Sequence, residues 1–125
     1  MRSLRIALFT TAIALAPVEA HTQEAAELDP AVVNPTSITV KLANDSVRVM
    51  EAVLPPGFKE ALHTHPPYAM YIIAGGKVRL YSADGKWRDS EFKAGDVFYS
   101  DRVTHQAENT GTSTIRVLLV EIRRK

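Results

Sequence analysis

The chain has 125 residues, of which 46% are hydrophobic and 23% are charged, a composition typical of one globular domain. Fifteen basic residues against 14 acidic ones give a formal charge of +1, which argues against a nucleic-acid binder because such a protein needs a basic face. The absence of cysteine excludes a disulfide framework, a thiolate nucleophile and a metal site with sulfur ligands.

The first twenty residues contain the three parts of a secretory signal peptide in the usual order. Two arginines precede an apolar stretch over residues 6–16, and a short segment of apolar and small residues ends at Ala20. The stretch is too short for a transmembrane helix, which needs about 20 apolar residues. We therefore expect a signal peptide over residues 1–20, export to the periplasm or the medium, and a mature chain that begins at His21.

The rest of the chain has the pattern of an all-β domain. Residues 21–36 are polar, contain two prolines and predict a loose N-terminal arm before a single domain over residues 37–125. Beyond this arm, β-branched and apolar residues alternate with polar ones, and turn residues recur roughly every 8 to 12 positions, which favours a sandwich or a barrel without helices. We predict strands over residues 38–42, 47–54, 62–65, 70–73, 77–81, 87–92, 97–99 and 114–122.

Two of the four histidines are two positions apart in an extended segment. Residues i and i+2 of a strand point to the same face, so the rings of His63 and His65 can reach one ion. The neutral imidazole is the commonest metal ligand among side chains. A His-x-His pair is also found as two surface histidines beside a proline turn, so the surrounding residues must decide between these interpretations.

Gly57 precedes this pair with five residues between, and four further residues follow it, which are Gly75, Gly95, His105 and Asn109. With the histidine pair they resemble the two sequence motifs of the cupin superfamily, G-x5-H-x-H-x3,4-E-x6-G and G-x5-P-x-G-x2-H-x3-N. The resemblance covers about residues 47–122. It implies a small double-stranded β-helix, a jelly-roll barrel, in which His63, His65 and His105 converge on a metal.

The chain departs from the cupin motifs at the acidic ligand. Tyr68 stands where the motif has its glutamate, and no acidic residue lies between His65 and Tyr81. The second motif is one residue short, with Asp101 and Val103 where its proline and glycine belong. Three histidines without a carboxylate leave a divalent ion its full charge, which favours an anionic co-ligand. Some cupins, including the thiol dioxygenases, use three histidines alone, but nothing here indicates a thiol substrate.

Several side chains are candidates for the surroundings of the metal, each with an alternative interpretation. Tyr68 is either a phenolate ligand or a pocket residue, and Met70 is either a soft ligand for copper or part of the core. Tyr99 is either part of the core or barrel wall or, on the strand face that it shares with Val97, a pocket residue like Tyr68 and Met70. Glu60 is interpreted as a solvated loop carboxylate, and Arg48 as part of a solvated strand face rather than an anion contact.

Three functional hypotheses follow from the resemblance. The first is a metal-dependent enzyme, a dioxygenase or an isomerase or lyase, acting on a small molecule in the barrel. The second is a non-catalytic protein that binds a metal or small ligand, and the third is a degenerate cupin whose histidines bind nothing. The metal would be Fe, Cu, Mn, Ni or Zn. We expect no nucleic-acid partner and no membrane contact after signal cleavage. Dimerisation is common among cupins, and residues 38–42 or 114–122 are candidate interface strands.

Overall fold

Nine strands and one turn of helix make up the structure, a computed structural model that describes residues 28–123. The predicted signal peptide, its cleavage site and the first seven residues of the predicted arm lie outside the described residues. The elements are α1 (Pro30–Val33), β1 (Ile38–Ala43), β2 (Val47–Leu54), β3 (His63–His65), β4 (Tyr68–Ala74), β5 (Gly76–Ser82), β6 (Trp87–Phe92), β7 (Val97–Ser100), β8 (Val103–Asn109) and β9 (Ile115–Ile122).

The strands form two antiparallel sheets. One sheet has the order β1-β2-β9-β4-β7, and the other has the order β3-β8-β5-β6. Strand β9 lies at the centre of the larger sheet and pairs with β2 and β4, and its buried residues alternate with less buried ones as expected for a sheet covered on one face. The predicted all-β jelly roll is confirmed, and each of the eight predicted strands ends within two residues of its expected position.

Strand β8 (Val103–Asn109) was not among the predicted strands. Its sequence, Val-Thr-His-Gln-Ala-Glu-Asn, is mostly polar, and six of its seven residues are half-buried, so it lacks the alternation that marks a strand in the sequence. The strand exists because β3 and β5 pair with it on either side. This pairing fixes the position of His105, which β8 contains.

The described part of the N-terminal arm is packed against the domain, which differs from the loose segment that its composition predicts. Helix α1 begins with Pro30 and is capped by Asp29, whose Oδ1 accepts a hydrogen bond of 3.0 Å from the Ala31 amide. The Thr64 amide in β3 donates to the Leu28 carbonyl at 2.8 Å. The local signals for a helix are present, but one turn is too short to produce the periodicity that predicts one.

The hydrophobic core lies between the sheets. Its buried members are Ile38, Met50, Ala52, Leu54, Tyr68, Ile72, Val78, Ile115, Val117 and Leu119. Most of them come from the larger sheet, and the core leaves a cavity beside the short strand β3. Within residues 28–123, no helix is long and apolar enough to cross a membrane.

Candidate metal centre

Three histidine rings meet at the junction of β3 and β8. His63 and His65 share one face of β3, and His63 is directly opposite His105 in the pairing of the two strands. The ring centroid of His63 is 4.8 Å from that of His65 and 4.8 Å from that of His105. One potential ligand atom from each residue lies within 4.8 Å of the other two. Local spacing and cross-strand register together therefore bring the three candidate ligands to one point.

Burial keeps the rings of His63 and His105 neutral. His63 and His65 are each 1% exposed, and His105 is half-buried. Desolvation lowers the pKa of His63 to about 4. Desolvation, together with the neighbouring His63 and His65, lowers the pKa of His105 to about 3. At neutral pH both rings therefore offer a lone pair, and a cation does not have to displace a proton from either.

A buried carboxylate orients the ring of His65. Its Nδ1 donates a hydrogen bond of 2.7 Å to Oε1 of Glu121, because a carboxylate at this position can only accept. Glu121 is 1% exposed, and its Oε2 accepts from Nε of Arg48 at 2.8 Å. Nη1 of Arg48 in turn contacts Oδ2 of Asp29 at 2.6 Å. With Nδ1 occupied, the Nε2 lone pair of His65 is the one left for a metal.

The ionisation of Glu121 follows from the same contacts. Burial acts to raise its pKa, but hydrogen bonds from His65 and Arg48 outweigh burial and lower the pKa below its usual value. The carboxylate is therefore charged at neutral pH. A charged acceptor strengthens the hydrogen bond to His65 and makes that ring a better donor to a cation.

A backbone carbonyl and an asparagine orient the ring of His63. Its Nδ1 donates to the Ala61 carbonyl at 2.8 Å. Asn34 contacts both backbone polar groups of Ala61, since its Nδ2 donates to the Ala61 carbonyl at 3.2 Å and its Oδ1 accepts from the Ala61 amide at 2.7 Å. Asn34 is 4% exposed and follows helix α1. The N-terminal segment thus fixes the loop that positions the first histidine.

Two interpretations from the sequence are wrong in this region. Glu60 is 5% exposed instead of solvated, and its Oε2 lies 3.8 Å from Nε2 of His63. Burial raises the pKa of Glu60 to about 7, against which the Ala107 amide donates a hydrogen bond of 3.2 Å. Arg48 is half-buried between Glu121 and Asp29, with which it forms ion pairs, and is not part of a solvated strand face. In each case the burial is set by strands distant in the sequence, and no local pattern indicates it.

The histidines open onto a cavity of about 410 Å³. The three predicted pocket residues all line it, but they differ in exposure. Tyr68 is 6% exposed, with its ring centroid 4.8 Å from that of His65, and burial raises the pKa of its hydroxyl. Met70 is half-buried and packs against the core, whereas Tyr99 is 59% exposed, at the open side of the cavity.

The rim of the cavity has cationic side chains on one side. Lys86 and Arg88 both line it, and Lys86 forms an ion pair with Asp84 at 3.3 Å. Across the part of the chain that the structure describes, Arg88 forms no ion pair with a carboxylate. Its charge reaches the site, because it helps burial and the other histidines to lower the pKa of His105. This rim is suited to an anion that enters the cavity.

Comparisons with known proteins agree with this architecture. The model of the cupin domain family matches residues 50–121. A cupin domain from Bordetella pertussis Tohama I is 25% identical with a TM-score of 0.64, and the match covers 70% of this chain and 92% of that one. A predicted oxalate decarboxylase from Thermotoga maritima is 27% identical with a TM-score of 0.53, and the match covers 70% and 79% of the two chains. No curated protein matches the chain in sequence.

Proposed function

The chain belongs to the cupin family, and we propose that it binds one divalent transition metal through His63, His65 and His105 and acts on a small organic anion beside that metal. The observation that carries this proposal is the convergence of three imidazole rings on one point of an open cavity. Lyase and dioxygenase chemistry are the two reaction classes we consider, and the identity of the metal divides them.

The donor set fits a transition metal. The potential ligand atoms lie within 4.8 Å of one another, and two nitrogens bound to one ion at about 2.1 Å lie within about 4.2 Å of each other. Small side-chain rotations close that difference. His63 and His65 each have Nδ1 engaged by a fixed acceptor, which is the arrangement typical of metal-binding histidines. A bound divalent metal supplies Lewis-acid activation of a coordinated oxygen and, as iron or copper, oxygen chemistry.

The lining of the cavity supports a small organic anion as the substrate. A volume of about 410 Å³ is in the range for small-molecule sites. Apolar side chains from both sheets line the cavity, while Arg88 offers a guanidinium that can pair with a carboxylate at the rim. The Thermotoga maritima protein described as a predicted oxalate decarboxylase supports the same substrate class.

Each of the residues in the site has a distinct role in the proposed function. The three histidines bind and orient the metal, and Glu121 and Asn34 keep two of the rings in place. Arg88 attracts and orients the anion from the rim. Tyr68, whose ring lies beside that of His65, keeps its hydroxyl protonated at neutral pH because burial raises its pKa, and this hydroxyl is the proposed hydrogen-bond donor to a substrate oxygen.

Metal analysis followed by a substrate screen tests this function. We expect the purified protein to contain, or to take up after chelation, about one equivalent of Fe, Cu, Mn, Ni or Zn per chain. Loaded protein is then screened with small mono- and dicarboxylates while oxygen consumption and carbon dioxide release are recorded. A preparation that rejects all five metals overturns the proposal, and one that binds metal but turns over no carboxylate favours a non-catalytic binding protein.

We also propose export, because the first twenty residues have the composition of a signal peptide. Expression of the full chain in a Gram-negative host with periplasmic extraction tests this proposal. N-terminal sequencing is expected to give a mature protein that begins at His21. A cytoplasmic protein that retains Met1 contradicts it.

A further inference from the structure

One acidic side chain in the cavity has no role in the site as described so far. Glu60 precedes the histidine pair, and its carboxylate is inside the barrel beside His63. We propose that Glu60 is the fourth protein ligand of the metal, in place of the glutamate that the cupin motif has at the position of Tyr68. This inference rests on the proposed metal site, and it replaces a site of three histidines with one of three histidines and a carboxylate.

The distance between the two side chains fits a shared ion. Oε2 of Glu60 lies 3.8 Å from Nε2 of His63. This separation is too long for a hydrogen bond, which needs about 3.2 Å or less between nitrogen and oxygen. Two atoms bound to one ion at about 2.1 Å each are at most about 4.2 Å apart. The separation is therefore short enough for both atoms to bind one ion, although the cluster of potential ligand atoms within 4.8 Å of one another comprises the three histidines without Glu60.

Glu60 is buried without a cationic side chain of the described residues beside its carboxylate. It is 5% exposed, and the one hydrogen bond to its carboxylate within residues 28–123 comes from the Ala107 amide. No lysine or arginine in that range forms an ion pair with it. Buried carboxylates are retained when they are paired or bind metals, because desolvation of an isolated charge is costly.

Glu121 provides the internal comparison. It is equally buried, but its two carboxylate oxygens are engaged by His65 and Arg48, so its charge is compensated without a metal. Glu60 has no such partners and faces the cavity with the histidines. The two buried glutamates therefore have different roles, since one orients a ligand ring and the other is itself a ligand.

The backbone of Glu60 is fixed to the strand that contains the third histidine. Its amide donates to the Ala107 carbonyl at 2.9 Å, and its carbonyl accepts from Nε2 of Gln106 at 3.1 Å. His105 is in the same strand, β8. All four proposed ligands thus come from two adjacent segments whose relative position is set by strand pairing, which is the rigidity that a metal site needs.

Metal titration of Glu60→Gln tests the proposal. Glutamine keeps the volume of the side chain and can still accept from the Ala107 amide, so the metal-free variant is expected to fold. We expect Mn(II) or Co(II) to bind at least about tenfold more weakly than to the wild type. The matched control is Glu51→Gln, which also removes one negative charge, but from an exposed cluster with Lys41 and Arg116.

Infrared difference spectra supply a second measurement. Binding of Mn(II) is expected to shift one carboxylate stretching band, and Glu60→Gln is expected to lose that shift. If the wild type binds no metal, the proposed function itself is overturned, and the role of Glu60 with it. If the wild type binds metal without a shifted carboxylate band, or if Glu60→Gln binds with unchanged affinity, the metal site stands and the role of Glu60 is overturned.

Discussion

Oε1 of Glu121 accepts a hydrogen bond of 2.7 Å from Nδ1 of His65, and this contact joins the C-terminal end of β9 to the histidine pair on β3. The carboxylate belongs to a partly buried chain of contacts that continues through Arg48 to Asp29, the N-cap residue of α1. The orientation of one candidate ligand therefore depends on a strand and a segment that are far apart in the sequence.

Glu121→Gln is expected to weaken metal binding by about 10- to 100-fold, because the amide is a weaker acceptor for Nδ1 of His65 and permits the ring to turn. The measurement is competitive titration of the metal-free protein with a chelating dye. Glu51→Gln is the control, since it changes the same residue type on the outer face of β2. Equal affinities for the Glu121 variant and the wild type would falsify the orienting role.

Asn34→Ala is expected to lower the free energy of unfolding by about 1–3 kcal/mol, because it removes the two side-chain hydrogen bonds of Asn34 to the amide and the carbonyl of Ala61, each of which contributes about 0.5–1.5 kcal/mol. Urea denaturation of the metal-free protein measures this loss. Thr36→Ala is the matched control, since Thr36 is exposed in the same segment. A change below about 0.5 kcal/mol for Asn34→Ala, within the range of ordinary surface substitutions, contradicts the role given to the N-terminal segment.

The sequence predicts those parts of the site whose signal is local. His63 and His65 are two positions apart on one strand, so their common face follows from strand geometry alone. His105 was predicted through the cupin motif, although the strand that contains it was not, because β8 is polar and its burial depends on neighbours in the sheet. The motif therefore identified a residue whose structural context the hydrophobic pattern does not reveal.

The parts that the sequence could not predict are the polar groups buried by pairing at a distance. Glu121 interrupts an apolar strand, and its inward direction follows from the alternation of β9, but its partner Arg48 is 73 positions away. Glu60 is enclosed by β8, which was itself unrecognised. One signal was available, because a glutamate on the inner face of a buried strand requires a cation or a donor.

Removal of the metal is expected to lower the melting temperature. A ligand that binds only the folded protein adds about 2.7 kcal/mol at a free concentration of 100 times its Kd. Differential scanning calorimetry with and without a chelator measures this difference in the wild type. His105→Ala is expected to abolish the difference together with metal binding, whereas Thr110→Ala, in the exposed turn after β8, retains both. If chelation leaves the melting temperature of the metal-loaded wild type unchanged, the proposed stabilisation of the fold by the bound metal is contradicted.

Arg88→Gln is expected to raise KM for a small carboxylate by about 10- to 100-fold with a smaller effect on kcat, because a hydrogen bond between charged groups contributes about 1.5–3 kcal/mol. Arg88 lines the rim without an ion-pair partner in the described part of the chain. Arg102→Gln, an exposed arginine that does not line the cavity, is the control. The same increase in KM for both variants would mean that net charge, and not the rim contact, determines binding.

The stability of the metal-free protein is expected to depend on pH through two sets of titratable side chains, whose effects on the free energy of unfolding have opposite signs. His63 and His105 have pKa values of about 4 and about 3 in the folded state against 6.5 in the unfolded chain, so acidification below pH 6.5 favours the unfolded chain. Glu60 has a folded pKa of about 7 against 4.5, so the folded state takes up its proton first and gains stability as the pH falls from 7 to 4.5.

Between pH 6.5 and 5, the protons that the two histidines bind on unfolding therefore lower the free energy of unfolding. The proton that Glu60 binds on folding cancels about half of this effect. Each uncompensated proton changes the free energy of unfolding by about 1.4 kcal/mol per pH unit. Glu60→Gln removes the offset, so its stability is expected to fall about twice as steeply with acidification as that of the wild type. Urea denaturation at pH 6.5, 5.75 and 5.0 at constant ionic strength measures both slopes. Parallel slopes would show that Glu60 does not bind a proton on folding, and that its carboxylate is compensated in the metal-free protein by a contact other than the Ala107 amide.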